Sequence, residues 1–186
     1  PDQPISRAEL AALLVRAKQL PLDFGIHSST FRDLRANNWA VGYIETAVKY
    51  GLVEGYPGAT YRPQNMVTRA EAAAMFVRFS SIPLMKIERT TDLDVPFSHW
   101  ASGYIAAFKS AGLMPNTWQQ GNRFYPEQAI SRAELCAIMA RISYINREIE
   151  TLLERRTNWD YAVDNSYFTR SAQSYNTAQP VPNDDN

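Results

Sequence analysis

Thr68-Arg69-Ala70-Glu71 has two near copies in this chain, Ser6-Arg7-Ala8-Glu9 and Ser131-Arg132-Ala133-Glu134, so the three starts lie 62 and 63 residues apart. In each, a hydroxyl residue stands three positions before a glutamate. That spacing predicts a reciprocal helix cap. Ser6, Thr68 and Ser131 accept from the third helical amide, while Glu9, Glu71 and Glu134 reach back to the amide of the cap residue. Counting on from each hydroxyl, positions +4, +7, +8 and +11 are Leu10, Leu13, Leu14 and Ala17, then Ala72, Met75, Phe76 and Phe79, then Leu135, Ile138, Met139 and Ile142. Each helix therefore carries one apolar stripe that it cannot bury alone. Three equivalent helices sharing a core are expected.

Working outward, the segments between the capped helices also repeat. Trp39, Tyr43, Ile44 and Ala47 match Trp100, Tyr104, Ile105 and Phe108, and both runs predict a further helix. Gly51-Leu52 and Gly112-Leu113 suit left-handed helix ends with the leucine packing back. Gly55-Tyr56-Pro57-Gly58-Ala59-Thr60-Tyr61-Arg62-Pro63 predicts a fixed, tightly turned loop, and Gly121, Phe124 and Pro126 match its later half. Pro1 aligns with Pro63 and Pro126, five residues before each cap, so the visible chain starts in the middle of a unit. The expected division is residues 1–22 as the second half of a first repeat, 23–82 as a second and 83–156 as a third. No Pro or Gly interrupts Ser131 to Arg156, so the third repeat should end in an extended helix. Residues 157–186 form an aromatic-containing segment followed by a linker, in which Trp159 begins a pattern faintly like Trp39 and Trp100.

Composition narrows the function classes. The chain has 186 residues, and 19 basic side chains offset 19 acidic ones, so no global field favours nucleic acid or an anionic membrane. Cys136 is the only cysteine, which excludes an intrachain disulfide and a zinc site of several thiolates; it reads as a small core or boundary residue. No apolar run is long enough to span a membrane. His27 and His99 are the only histidines, and neither has metal-ligand spacing. With no nucleophile elbow and no glycine-rich phosphate loop, the expectation is a non-catalytic chain without cofactor or metal.

The motifs together resemble the S-layer homology repeat. One complete unit reads Phe31-Arg32-Asp33, Asn38-Trp39-Ala40, Gly51-Leu52, Gly55-Tyr56, Gly58, Tyr61, Pro63 and Thr68-Arg69-Ala70-Glu71. The next reads Ser98-His99-Trp100-Ala101, Gly112-Leu113, Gly121, Phe124, Pro126 and Ser131-Arg132-Ala133-Glu134, with Asn116-Thr117 where Gly-Tyr should stand. The resemblance covers roughly Pro1 to Ser143. It implies an all-α fold with pseudo-threefold symmetry, in which the capped helices form a central bundle and the other helices project as prongs. It also implies anchoring of surface proteins to cell-wall polysaccharide or peptidoglycan, at the cell surface or on the periplasmic face of an outer membrane.

Candidate binding residues follow. Arg7, Arg69 and Arg132 stand at helix starts, where free amides and the helix dipole favour an anion, and the family's functional arginine falls on these positions. The alternative is that each pairs with a carboxylate of the neighbouring repeat. Trp39 and Trp100 open the prong helices and either stack on a sugar or pack the prong onto the bundle. Tyr56, Tyr61, Tyr43 and Arg62 make the second repeat's turn a candidate wall of a glycan groove, and Tyr125 takes the place of Arg62 in the third. Asp33, with Asp92 or Asp94 as its counterpart, reads as loop fixation, and Glu71 and Glu134 as helix caps. A second reading is structural: assembly with a protein partner, or a homo-oligomer, through residues 142–178.

Overall fold

All three capping boxes form. Ser6, Thr68 and Ser131 have extended backbones, and their hydroxyls accept from the amides of Glu9, Glu71 and Glu134 at 3.3, 3.3 and 3.1 Å. The returning carboxylate oxygens lie 2.8, 3.0 and 2.8 Å from the cap amides. The computed structural model describes residues 1–22, 29–84, 87, 92–118, 121–142, 147 and 151. Within these the chain is all-α: α1 (Arg7–Ala17), α2 (Val41–Lys49), α3 (Arg69–Phe79), α4 (Ser102–Ser110) and α5 (Arg132–Arg141), with a 3-10 turn at Asn116–Trp118. The first compact unit is residues 1–142; the second, residues 143–186, is described only at Arg147 and Thr151.

The helix starts are joined by a closed ring of backbone hydrogen bonds. Ile5 N donates to Ile130 O, Ile130 N to Val67 O, and Val67 N to Ile5 O, at 3.2, 2.9 and 2.9 Å. A second cycle takes Arg7 N to Asn65 O, Arg69 N to Gln128 O and Arg132 N to Gln3 O. A third takes Ala8 N to Pro63 O, Ala70 N to Pro126 O and Ala133 N to Pro1 O, which puts Pro1 in register with the two later prolines. The first cycle runs one way around three equivalent segments, and the second and third run the opposite way. Ile5, Val67 and Ile130 are buried at its centre.

The prong helices pack on the capped helices that precede them, α2 on α1 and α4 on α3. Both end as their glycines require. Gly51 and Gly112 have φ of 67° and 70°, and the amides of Leu52 and Leu113 return to Ala47 O and Phe108 O at 2.8 and 3.2 Å. The predicted stripes are buried at Leu10, Leu14, Ala72, Met75, Phe76, Phe79, Leu135, Ile138 and Ile142.

Burial around the three capped helices is unequal. Ala8, Ala11 and Val15 of α1, and Ala70, Ala73 and Val77 of α3, are buried. Their counterparts on α5, Ala133, Cys136 and Ala140, are exposed, so Cys136 is not the core or boundary residue expected. The reason is packing: α2 covers α1 and α4 covers α3, and no prong helix among the described residues covers α5. The unbroken helix expected from Ser131 to Arg156 is also corrected. α5 stops at Arg141, and Ile142 is extended at φ −78°, ψ 113°. Arg147 and Thr151 are helical again, with Thr151 Oγ1 donating to Arg147 O at 2.9 Å. The expectations for Trp159 and for most of 142–178 lie outside the described residues.

Candidate functional site

The second repeat's turn is built from contacts that its sequence demands. Asp33 accepts the amides of Tyr61 and Arg62 at 2.8 and 2.6 Å, which holds Arg62 at a left-handed φ of 58°. Asp94 does the same for Phe124 and Tyr125 at 2.9 and 2.8 Å, with Tyr125 at φ 57°. Asp94, not Asp92, is therefore the counterpart of Asp33; Asp92 pairs with Lys109 at 2.8 Å. Burial works to raise the Asp94 pKa, but the amides of Phe124 and Tyr125 outweigh it and leave it below the usual carboxylate value. At Gly55 a Cβ would come within 2.2 Å of the Phe31 ring and 2.8 Å of Thr60 O, so only glycine lets the turn close over Phe31.

A groove of about 580 Å³ opens beside this turn. Its floor is one face of α3, with Thr68, Glu71, Ala74, Met75 and Arg78. One wall is the turn, with Glu54, Tyr56 and Arg62, and the other carries Trp100 and Glu127 of the third repeat. Arg7 reaches the groove from the first repeat. Of the residues singled out from sequence as ligand contacts, Arg7, Tyr56, Arg62 and Trp100 meet here. Trp39, Arg69 and Arg132 do not line it.

The helix-start arginines do not sit beside free amides. The first two helical amides donate to carbonyls of the next repeat and the third to its own cap hydroxyl, which leaves no amide of that set for an anion. The arginines follow the alternative weighed for them, a cycle between repeats. Arg7 pairs with Glu71 at 2.8 Å, Arg69 with Glu134 at 3.7 Å, and Arg132 with Glu9 at 3.2 Å. Each glutamate divides its oxygens, Oε2 to its own helix cap and Oε1 to the neighbour's arginine.

Arg7 is 3% exposed and Arg69 1%, whereas the Arg132 side chain is 53% exposed. Arg7 Nε and Nη2 donate to Tyr61 O and Glu54 O, and its guanidinium lies 4.6 Å from the ring centres of both Tyr56 and Tyr61. Arg69 donates to Phe124 O and lies over Trp118, with its Nε unpaired. Burial lowers the Arg69 pKa from its ordinary value, opposed by the Glu134 carboxylate.

The departure at Asn116-Thr117 is repaired one residue later. Trp118 Nε1 donates to Glu134 Oε1 at 2.7 Å, as the Tyr56 hydroxyl donates to Glu71 Oε1. Burial and that bond to Glu71 push the Tyr56 hydroxyl up to about 12, so it stays a donor throughout the physiological range. Trp118 is fully buried, whereas Tyr56 still reaches the groove.

Trp39 and Trp100 are each 58% exposed, which overturns the prong-packing alternative for them. Tyrosines tie the prongs instead. Arg16 Nη2 and Arg78 Nη2 each donate at 2.8 Å, to the hydroxyls of Tyr43 and Tyr104. Arg78 also pairs with Glu54 at 2.8 Å, strapping the turn to α3. Arg78, Glu54 and Glu127 were missed from sequence. The helical spacing Glu71, Met75, Arg78 held the signal for the first, but Glu54 and Glu127 reach the groove only through tertiary packing.

Among the described residues no helix is long and apolar enough to cross a membrane, and no group of three or more His, Cys, Asp or Glu could hold a metal. The family model for the S-layer homology domain matches residues 30–73 and 93–136. The chain is 35% identical over 158 residues to a cellulosome-anchoring protein of Acetivibrio thermocellus, covering 81% of this chain and 33% of that protein. It is 31% identical over 129 residues to S-layer protein EA1 of Bacillus anthracis, 67% of this chain and 15% of that protein. An amylopullulanase of Thermoanaerobacterium thermosulfurigenes is 30% identical over 144 residues, 75% of this chain and 8% of that protein. The chain thus spans a third or less of each of these relatives.

Proposed function

This chain carries tandem S-layer homology domains, and from that premise we propose that residues 1–142 anchor a surface protein by holding a saccharide of the cell wall in the groove on α3. The family and the relatives support a cell-surface anchoring module at the cell envelope. The finer reading is ours: the ligand is an anionic wall polysaccharide or a peptidoglycan-linked polymer, and the hydrogen-bond ring is the axis of a pseudo-threefold arrangement of repeats at 1–22, 23–82 and from 83 onward.

One observation carries it. Trp100, a large indole left 58% exposed, lines a groove together with Tyr56 and charged side chains. An exposed aromatic face is the surface on which a pyranose ring's C–H groups rest, and the surrounding polar groups take its hydroxyls. The module is non-catalytic in this reading. Glu71 is committed to Thr68, Arg7 and Tyr56, and Glu54 to Arg78, so no pair of carboxylates stands ready as acid and base. The amylopullulanase matches over only 8% of its own length, so its name assigns no catalysis to these residues.

The test is co-sedimentation of the full chain with isolated wall sacculi. Trp100→Ala should weaken retention about threefold to tenfold, the range expected for losing one aromatic contact. Trp39→Ala removes an equally exposed indole outside the groove and should bind as the parent does. Parent-like binding by a folded Trp100→Ala chain would sink the groove assignment.

A further inference from the structure

Asn38 and His99 hold the same place in the two complete repeats, one residue before the exposed tryptophan that opens each prong. Asn38 Oδ1 accepts the amide of Ala40 at 2.9 Å, and His99 Nδ1 accepts the amide of Ala101 at 3.2 Å. The backbone around them matches as well. Asn38 N and His99 N donate to Arg35 O and Pro96 O, while Val41 N and Ser102 N donate to Asn38 O and His99 O. Each side chain thus closes a short loop around its tryptophan and fixes the buried Ala40 or Ala101 at the start of the prong helix. The geometry is shared and the chemistry is not: an amide oxygen accepts at any pH, whereas an imidazole nitrogen accepts only while it is unprotonated.

A second exchange accompanies the first. Gln64, which follows Pro63, is matched after Pro126 by Glu127, whose Oε1 lies 3.8 Å from His99 Nε2. With Nδ1 accepting from Ala101, the neutral ring carries its hydrogen on Nε2, the nitrogen that faces Glu127. Among the described residues the His99 ring meets three partners: the Ala101 amide, the Trp100 indole stacked on it with ring centres 5.9 Å apart, and the Glu127 carboxylate. Only the last is charged. The amide favours the neutral ring and the carboxylate the protonated one, whereas Asn38 and Gln64 put no ionisable group at either position of the second repeat.

We infer that His99 is a pH-sensitive latch on the third repeat's prong, holding the turn around Trp100 when neutral and releasing it when protonated. The proton comes from solvent, to which the side chain is 16% exposed. Once Nδ1 carries it, the ring can no longer accept from Ala101, and its charge draws it toward Glu127. A bond made only by the neutral form is present at high pH and lost as pH falls. The consequence for wall binding rests on the groove reading above, since Trp100 lines the groove and Trp39, held by an amide, does not. His99 is a positioning residue in this assignment.

The experiment follows the full chain between about pH 5 and pH 8, the interval in which an imidazole gains its charge and which lies above that in which Glu9 and Asp94 do so. Indole fluorescence is read without any ligand, because a protonated imidazole quenches an indole stacked on it; retention on isolated wall sacculi is read in parallel. The variant His99→Asn copies the cap of the second repeat and keeps the turn without the titration. The parent's emission should fall as the pH is lowered, and that step should be absent in His99→Asn. The ratio of parent to His99→Asn retention, in which titration of the wall itself cancels, should fall about fivefold from pH 8 to pH 5, the effect of one lost hydrogen bond. Glu127→Gln should move the emission step to lower pH. An emission step that survives unchanged in folded His99→Asn would overturn the latch. A step that depends on His99, with a retention ratio flat in pH, would uphold the latch and overturn its link to the groove.

Discussion

Arg7, Arg69 and Arg132 occupy identical places in the sequence repeat and very different physical settings. Removing Arg7 leaves the Glu71 carboxylate short of a partner in a site where the two side chains are 4% and 10% exposed. Breaking a buried pair from one side costs about 3–5 kcal/mol, whereas an exposed pair such as Arg132–Glu9 contributes about 0–1 kcal/mol. Arg7→Ala should therefore lower the denaturation midpoint strongly and Arg132→Ala hardly at all, as read by chemical unfolding. Arg69→Ala belongs with Arg7: its effect on wall binding should follow its effect on folding. Acid acts through Asp94 and Glu9. Hydrogen bonding by Ser6, through its amide above all, sets Glu9 below its ordinary value of 4.5, and the amides of Phe124 and Tyr125, outweighing burial, set Asp94 below 3.8. A depressed folded-state pKa gives stability that is present above the ordinary value and lost as pH falls through the folded one. Stability should thus decline below about pH 4.5, and Asp94→Asn should flatten that decline, measured by melting temperature against pH.

At the scale of the element, the turn from Gly55 to Pro63 shows how far local pattern reaches. Its glycines and Asp33 announced a fixed turn, and the structure supplies the reason in the Phe31 ring beneath Gly55. Gly55→Ala should cost about 1–3 kcal/mol through overpacking, seen as a lower unfolding midpoint with the slope unchanged. The substitution of Trp118 for Tyr56 was not legible, because a two-residue insertion shifts the alignment and only the shared bond to the capping glutamate reveals the equivalence. For α5, the capped start and stripe were read correctly, but its end was not. Nothing in the sequence from Ser131 to Arg156 is a strong breaker, yet Ile142 has an extended backbone and is buried. The same helix leaves Cys136 exposed. A water-soluble thiol reagent should therefore modify Cys136 in the native chain without denaturant, and protection until unfolding would show that face to be covered.

Across the first compact unit, the ring of hydrogen bonds ties the beginning of the chain to a helix more than a hundred residues later. Gln3 O and Pro1 O receive the amides of Arg132 and Ala133, and Ile5 bonds both Val67 and Ile130. Deleting residues 1–5 would leave those groups unpaired, and it should lower the melting temperature of the whole unit by roughly 10 °C in a single transition, because each of several lost bonds contributes about 1 kcal/mol. Separate melting of α5 would show that the ring does not couple the repeats. The caps, the stripes, the glycine helix ends and the turn were determined by the sequence itself, since each depends on residues within a few positions of one another and on backbone conformations that few residue types tolerate. Which arginine is buried and which stays exposed was decided only in three dimensions. Arg7 lies beneath Tyr56 and Tyr61, Arg69 beneath Trp118, and Arg62 above Tyr56 with its donors open. Burial and pairing are set by what a distant segment places alongside, and no local spacing encodes that.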